Sequence, residues 1–428
     1  MTVEKQKFRR NLSQTQILRA EQAHPGSARN TISLKLHLPD HTPQEVIAAV
    51  DTVLDRADIF AAVLVKEDGE WMFSVGAGKV SGCETGKERD ADLAEKYMGN
   101  MDRCPLDMER CLYRAKVIPL SGGGVFLYVC FHHIIIDGYG MSLFVQNVMD
   151  VLAGKEMVPS VFFREDGYLP GSSAGKKGGA AENVPAGKTD AAGESNSAGE
   201  GDGSGGSGSA DGFWQSCFSG AEFEAAVFPQ KTDKSGFGSL RACVPGELMR
   251  RAERFGEREG ISVPYLFASA YALYLAKAAG KKDAVFLMPR LNRTQGQRNT
   301  LGCYTLLVPV RVRVEGADTF AQLCRRVKQA SAEASAHKGC GFDRILSALR
   351  EEAVTGETVS EYVFNFYRFS FHADFPYSVR FSVAGDMTNH MTFNLFWNES
   401  GGLDMQADYQ QSVYTEEKAG YFLDAILT

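Results

Sequence analysis

From about Gly167 to Gly212 the chain has almost no large apolar residue; most of that span reads GSSAGKKGGAAENVPAGKTDAAGESNSAGEGDGSGGSGSADG. Such a segment cannot offset its ordering entropy by burying surface, so it cannot belong to a packed core. It divides the 428 residues into two flanks, each near the ordinary domain size of about 150 to 200 residues. The expected organisation is a first lobe over 1–166, a disordered linker or insertion over 167–212, and a second lobe over 213–428. GSSAGKK resembles a phosphate loop but lacks its spacing, the Ser or Thr after Lys, and a preceding strand.

Both flanks mix helix and strand signals. In HTPQEVIAAVDTVLDRA, Thr42 is the expected cap, Pro43 the first helical residue and Glu45 the capping-box partner, with Val46, Val50, Val53 and Leu54 on one apolar face. CLYRAKVIPL and VFLYVCF read as strands joined by the turn SGGG, and GMSLFVQNVMDVLAG as a helix with Ser142 as cap and Gly154 as stop. In the second flank VPYLFASAYALYLAKAAG and TFAQLCRRVKQASAEASAHKG read as helices. DAVFLMP, YTLLVPVRVRV, EYVFNFYRF, YSVRFSVAG, MTFNLFWN and LDMQADY read as strands, and a helix capped by Thr415 closes the chain. No βαβ rhythm repeats, so the fold class is α+β with two lobes.

Composition narrows the function. A net charge of −7 with 23% charged residues argues against a nucleic-acid or membrane-surface binder. The N-terminus has no apolar signal core, and no segment approaches the ~18 continuous apolar residues of a membrane helix. Nine cysteines without a CxxC pair suggest neither a disulfide framework nor a zinc site. The expectation is a reduced, cytoplasmic protein acting on small ligands or protein partners.

One stretch carries chemistry. FHHIIIDGYG places His132 and His133 at the end of an apolar strand and Asp137-Gly138 four residues on. Strand side chains alternate, so the two rings should point opposite ways, which argues against a shared metal; no metal site is expected. Asp137 can fix a tight turn through a hydrogen bond or ion pair, and an imidazole so held suits proton transfer at an attacking amine or hydroxyl. With eight His and 44 Gly in the chain, a shuffled sequence would contain H-H-x-x-x-D-G roughly once in a thousand trials. Cys130 and Cys303 are expected to be small buried hydrophobes rather than nucleophiles.

His132, His133, Asp137 and Gly138 match the HHxxxDG signature of nonribosomal peptide synthetase condensation domains, and further stretches of the chain resemble that family. LSQTQ (Leu12 to Gln16) is similar to its opening motif, CPLDMERCLYRAKVIPL to the segment before the catalytic strand, and FWQSCFSG to the start of the second half. LNRTQGQRNTLGCYTLLVPVRV and SAHKGCGFDRIL resemble later motifs. The resemblance implies two chloramphenicol-acetyltransferase-like lobes forming a V-shaped pseudo-dimer, with a tunnel between them. Donor and acceptor carrier proteins would present substrates on phosphopantetheine arms, with no bound cofactor, a monomeric state and an adjacent adenylation domain. It further implies His133 as the catalytic histidine, His132 as its structural neighbour, Asp137 as the orienting acid and Gly138 as permitting the turn. Arg293 is the implied salt-bridge partner of Asp137, with Arg290 second in line, and Tyr139 and Tyr304 are candidate tunnel-lining residues. The sequence departs from the family at Ala57, Ala61, Leu306, Gly341 and Phe342. Two other readings remain open: a coenzyme A- or carrier-dependent O/N-acyltransferase of the same superfamily, and an inactive carrier-binding module.

Overall fold

The computed structural model describes residues 6–23, 25–76, 78–163, 207–224, 227, 229, 233, 234, 236–349, 359–384, 389–397 and 401–428. The first half runs β1 (Gln6–Phe8), α1 (Leu12–Ala23), β2 (Thr31–Leu38), α2 (Pro43–Asp55), β3 (Ala62–Glu67), β4 (Glu70–Val75), β5 (Glu84–Thr85), α3 (Ala91–Met101), β6 (Tyr113–Pro119), β7 (Val125–His132) and α4 (Gly138–Leu152). The second runs α5 (Ser207–Phe218), β8 (Phe237–Cys243), α6 (Gly246–Glu259), α7 (Val263–Ala279), β9 (Asp283–Arg290), β10 (Leu306–Arg313), α8 (Phe320–Ala336), α9 (Phe342–Leu349), β11 (Tyr362–Tyr367), β12 (Ser378–Ala384), β13 (Met391–Trp397), β14 (Leu403–Gln410) and α10 (Glu416–Leu427).

The strands form a three-stranded sheet β1-β4-β3, a five-stranded sheet β12-β2-β7-β6-β5 and a six-stranded sheet β10-β9-β11-β13-β14-β8. One apolar core lies between the five-stranded sheet and α2 and α4; the larger one joins the six-stranded sheet to α7, α8 and α10. This is the expected α+β, two-lobed arrangement. α2 starts as its sequence dictates: Thr42 and Glu45 close a reciprocal capping box, Pro43 opens the helix, and Val46, Val50, Val53 and Leu54 are buried. Truncating a wholly buried side chain such as Leu54 to Ala would cost about 2–5 kcal/mol.

Three expectations change. β12 lies in the half read as a second lobe, yet it pairs antiparallel with β2, Ser378 opposite His37 and Ala384 opposite Thr31. Neighbouring Phe371, Phe375 and Tyr377 pack with Phe381 against the first core, so apolar burial rather than chain order decides its place. The expected linker lies outside the described residues as far as 206, but its last six residues, 207–212, belong to α5. There Trp214 and Phe218 are buried and Asp211 meets Arg344 at 2.8 Å, which anchors the helix. The helix after the histidines begins at Gly138 with Asp137 as its cap, not at Ser142. The Ser142 hydroxyl instead donates back to the Tyr139 carbonyl at 2.7 Å.

Candidate active site

The segment after β7 is a compact coil rather than a loose loop. The His133 N–H donates to the Asn30 carbonyl at 2.6 Å, the Ile135 N–H to the His132 carbonyl at 3.1 Å, and the Ile136 N–H to the His133 carbonyl at 3.3 Å. Ile134, Ile135 and Ile136 are wholly buried, so the run between the histidines and Asp137 is an anchor in the first core.

The two rings have separate surroundings, as alternation along a strand requires. His132 is buried; its Nδ1 accepts from the Ile134 N–H at 3.2 Å, which places the proton of the neutral ring on Nε2, 3.6 Å from the Glu21 carboxylate. Glu21 is buried on α1 and also accepts from Asn30 Nδ2 at 2.8 Å. Burial pushes the Glu21 pKa up, but the neighbouring His132 ring and the hydrogen bond from Asn30 outweigh it, so the carboxylate stays charged. Asn30 thus links Glu21 to the backbone of His133.

His133 faces the second half. Its Nδ1 lies 3.9 Å from the Cys303 Sγ. Burial drives its pKa below the ordinary value, opposed by the ring's hydrogen bond to its own backbone carbonyl and by the Asp137 charge. The residue as a whole is only partly buried. A neutral imidazole keeps one ring nitrogen unprotonated, and that nitrogen is the candidate base. Cys303 is fully buried and its thiol is pushed far above the usual range by burial, so it stays protonated as expected of a packing residue.

Asp137 binds the two halves together. Its carboxylate caps α4 through the Gly140 N–H at 2.7 Å, and accepts from the Tyr304 and Thr305 N–H groups at 2.8 and 2.9 Å and from Thr305 Oγ1 at 3.0 Å. Arg293 Nη2 completes the set at 3.0 Å, with side-chain exposures of 3% and 0% for Arg293 and Asp137. Burial would raise the Asp137 pKa, but the Arg293 charge and these N–H groups hold it below the usual carboxylate value. Arg293 also donates to the carbonyls of Gln297, Thr300 and Gly302, and lies over the rings of Tyr139 and Tyr304. Among the described hydrogen bonds of Asp137 none reaches the His133 ring, so Asp137 positions the loop that carries the imidazole rather than the imidazole itself.

Two further expectations are revised. Gly138 has the backbone of a first helical residue; a Cβ there would stand 3.1 Å from Tyr367 Cε1, so the position supplies room. Gly140 is tighter, because a Cβ would come within 2.7 Å of Ile136 Cγ1 and 2.8 Å of the Gly302 carbonyl. Tyr304 does not line an open passage. It is buried between the Arg293 guanidinium and Phe162, whose ring centroid lies 5.0 Å away, whereas Tyr139 is half-buried.

The opening motif resembles a clip across the same seam. Asn11 and Gln14 cap α1 reciprocally, Asn11 Nδ2 donates to the Cys303 carbonyl at 2.9 Å, Gln14 Nε2 to the Ile134 carbonyl at 3.1 Å, and Gln16 exchanges two hydrogen bonds with the backbone of Leu307. The departure RADIFAA also serves this seam: the Asp58 carboxylate accepts from the Phe162 and Phe163 N–H groups, and Phe162 fills the space beside Gly302. A cavity of about 480 Å³ beside α1, lined by Arg10, Thr15, Leu18 and Arg19 among others, does not include the histidines. Among the described residues no group of three His, Cys, Asp or Glu side chains could hold a metal ion, and no helix is long and apolar enough to cross a membrane.

A family model described as Condensation domain matches residues 204–428, more than half of the chain. The chain belongs to the condensation domain family. A second model, Transferase family, matches residues 83–194. Over 99% of its length the condensation domain superposes on 96% of the first condensation domain of the CDA synthetase, with a TM-score of 0.77 at 17% identity, a likeness of fold. A TM-score of 0.76 at 14% identity relates it to the condensation domain of the Monacolin K polyketide synthase MokA, over 99% of this chain and 96% of that one. In sequence it is 21% identical over 335 residues to surfactin synthase subunit 1 of Bacillus subtilis (strain 168), covering 76% of this chain and 9% of that protein. It is 21% identical over 323 residues to bacitracin synthase 3 of Bacillus licheniformis, covering 70% of this chain and 4% of that one. The condensation domain thus spans under a tenth of the length of these curated relatives.

Sequence reasoning missed Glu21, Asn30 and Asn11. The Asn11-x-x-Gln14 pattern is a capping signal that could have been read. Glu21 and Asn30 carry no local signal, because the histidine pair they hold lies more than a hundred residues further along the chain.

Proposed function

We propose that this condensation domain joins a carrier-bound acyl or peptidyl thioester to the amine of a carrier-bound aminoacyl acceptor. The observation that carries the reading is His133 itself: its pKa is lowered by burial, the residue is only partly buried, and its Nδ1 lies 3.9 Å from the Cys303 Sγ at the seam between the halves. The acceptor nitrogen attacks the thioester carbonyl carbon, the C–S bond breaks as the C–N bond forms, and the amine proton passes through the unprotonated ring nitrogen of His133 to the departing thiolate. A thioester is already activated, so alignment of the reactants supplies much of the acceleration and the imidazole adds proton transfer. Asp137, Arg293, Asn30 and Glu21 are positioning residues in this scheme. The substrates ride on phosphopantetheine arms, and the partners are donor and acceptor carriers, with an adenylation domain as neighbour.

A second reading, a coenzyme A-dependent acyltransferase, is supported by the Transferase family match over residues 83–194. Donor acyl-carrier and acyl-coenzyme A are to be supplied separately, with aminoacyl-carrier or a simple alcohol as acceptor. Amide formed only from the two carriers and lost in His133→Ala, with carrier binding intact, supports the first reading. Ester or amide formed from coenzyme A thioesters alone supports the second, and unchanged turnover in His133→Ala removes the role of the imidazole in both.

A further inference from the structure

The cavity of about 480 Å³ beside α1 is built by both halves of the chain. Leu18 and Arg19 of α1 form one wall, Arg10 lies just before that helix, Glu70 and Trp71 open β4 at its turn from β3, and Asp343 comes from the first turn of α9. Its volume falls within the roughly 300–1,000 Å³ usual for small-molecule sites.

Not every charged group in it is engaged. Arg19 and Asp343 pair with each other and tie α1 to α9. Arg10 and Glu70 do not pair: among the described residues neither side chain makes a hydrogen bond, or an ion pair within 4.0 Å. Arg10 Nε is enclosed by protein atoms and has no acceptor. Burial pushes the pKa of that guanidinium down, opposed only by the Glu70 charge. The Trp71 indole N–H also lacks an acceptor among the described residues. A guanidinium withdrawn from water without acceptors is unfavourable, and an incoming carboxylate would relieve it.

We propose that this cavity binds a free α-amino acid with an uncharged side chain, its carboxylate on Arg10, its ammonium on Glu70 and its side chain against Leu18 and Trp71. The two arginines and two carboxylates of the lining cancel, so a zwitterion fits without residual charge, whereas a phosphate dianion would meet two carboxylates and only one unpaired guanidinium. A guanidinium fork takes a carboxylate through two parallel N–H···O bonds, and the Glu70 carboxylate accepts from an ammonium. The lining excludes His132 and His133, so this site is separate from the acyl-transfer centre. An occupant bridges α9 and α1, the helix from which Glu21 holds His132.

The test is calorimetric titration of the whole chain with L-leucine, L-phenylalanine and L-glutamine, each beside its methyl ester, which lacks the carboxylate, and its N-acetyl derivative, which lacks the ammonium. Saturable binding of at least one of the three is expected. It should weaken about tenfold or more in the ester and in Arg10→Gln, the loss of one charged hydrogen bond. In Glu70→Gln it should weaken up to about fivefold, because that carboxylate is exposed. Circular dichroism verifies that each variant is folded; the exposed Glu70 and the two derivatives, which need no substitution, keep the test decisive if Arg10→Gln does not fold. No saturable heat from any of the three amino acids, a derivative bound as tightly as its parent, or an unchanged Kd in folded Arg10→Gln overturns the site. Binding retained in His133→Ala supports a location apart from the histidines, and binding lost there overturns it.

Discussion

Asp137 and Arg293, 156 residues apart in the chain, meet at 3.0 Å with almost no exposed surface, and the Asp137 carboxylate also caps the helix that follows the histidines. One group therefore fixes the loop of the first half to the 302–305 segment of the second. Removing one partner of such a buried pair strands the other charge, at a cost of about 3–5 kcal/mol. Arg293→Met is expected to lower the denaturation midpoint accordingly, and Asp137→Asn with Arg293→Met to recover part of the loss; simple additivity in that cycle would contradict coupling.

The same pair sets an acid limit. The Asp137 pKa is depressed in the folded protein, so its contribution is fully present above the unfolded value of about 3.9 and is lost as pH falls through the lower folded value. Denaturation midpoints followed between about pH 5 and pH 2 should converge for wild type and Asp137→Asn at the acid end. Equal pH dependence of the two proteins across that window would count against the assignment.

His133 is neutral because burial lowers its pKa from the ordinary value of about 6.5. Turnover should therefore hold level through neutral pH and decline only below that value, as the imidazole takes up a proton. A pH–rate profile with its acid limb above about 6.5 would show that another group controls the reaction.

Glu21 holds His132 and Asn30, and the Asn30 carbonyl receives the His133 N–H. Glu21→Ala leaves the buried Asn30 amide without its acceptor and removes the charge 3.6 Å from His132 Nε2, and should cost about 1.5–3 kcal/mol. It should reduce kcat more than it raises KM, since the residue acts through the position of the imidazole. A loss of stability with kcat unchanged would make Glu21 a packing residue only.

At Gly140 an added Cβ meets Ile136 and the Gly302 backbone, while at Gly138 it meets only the edge of the Tyr367 ring. Gly140→Ala should thus cost about 1–3 kcal/mol and resist rescue, whereas Gly138→Ala should be milder and be relieved by Tyr367→Leu. Thermal denaturation of the single and double variants checks the ranking.

The sequence carried α2, β6, β7 and α10 because each is specified by local signals: a capping box, a Gly-rich turn, an apolar run, a threonine cap. His132, His133, Asp137 and Arg293 were legible because they form spaced motifs, and the structure brings Arg293 to Asp137. The helix cap falls on Asp137 rather than Ser142 although both residues have capping side chains, because only the packing of Ile134 to Ile136 fixes where the helix can begin. The transfer of β12 to the first sheet depends on a partner strand hundreds of residues distant, and the role of the Glu21–Asn30 link on histidines about a hundred residues distant, which no local pattern encodes.

β12 is contributed by one half and hydrogen-bonded into the sheet of the other, from Ser378 to Ala384. A fragment ending before it would leave the backbone of β2 bare along that side, an open seam that invites pairing with other chains. The two halves therefore share one continuous ladder of backbone hydrogen bonds, so separating them costs the pairing of this strand as well as the contacts at the seam.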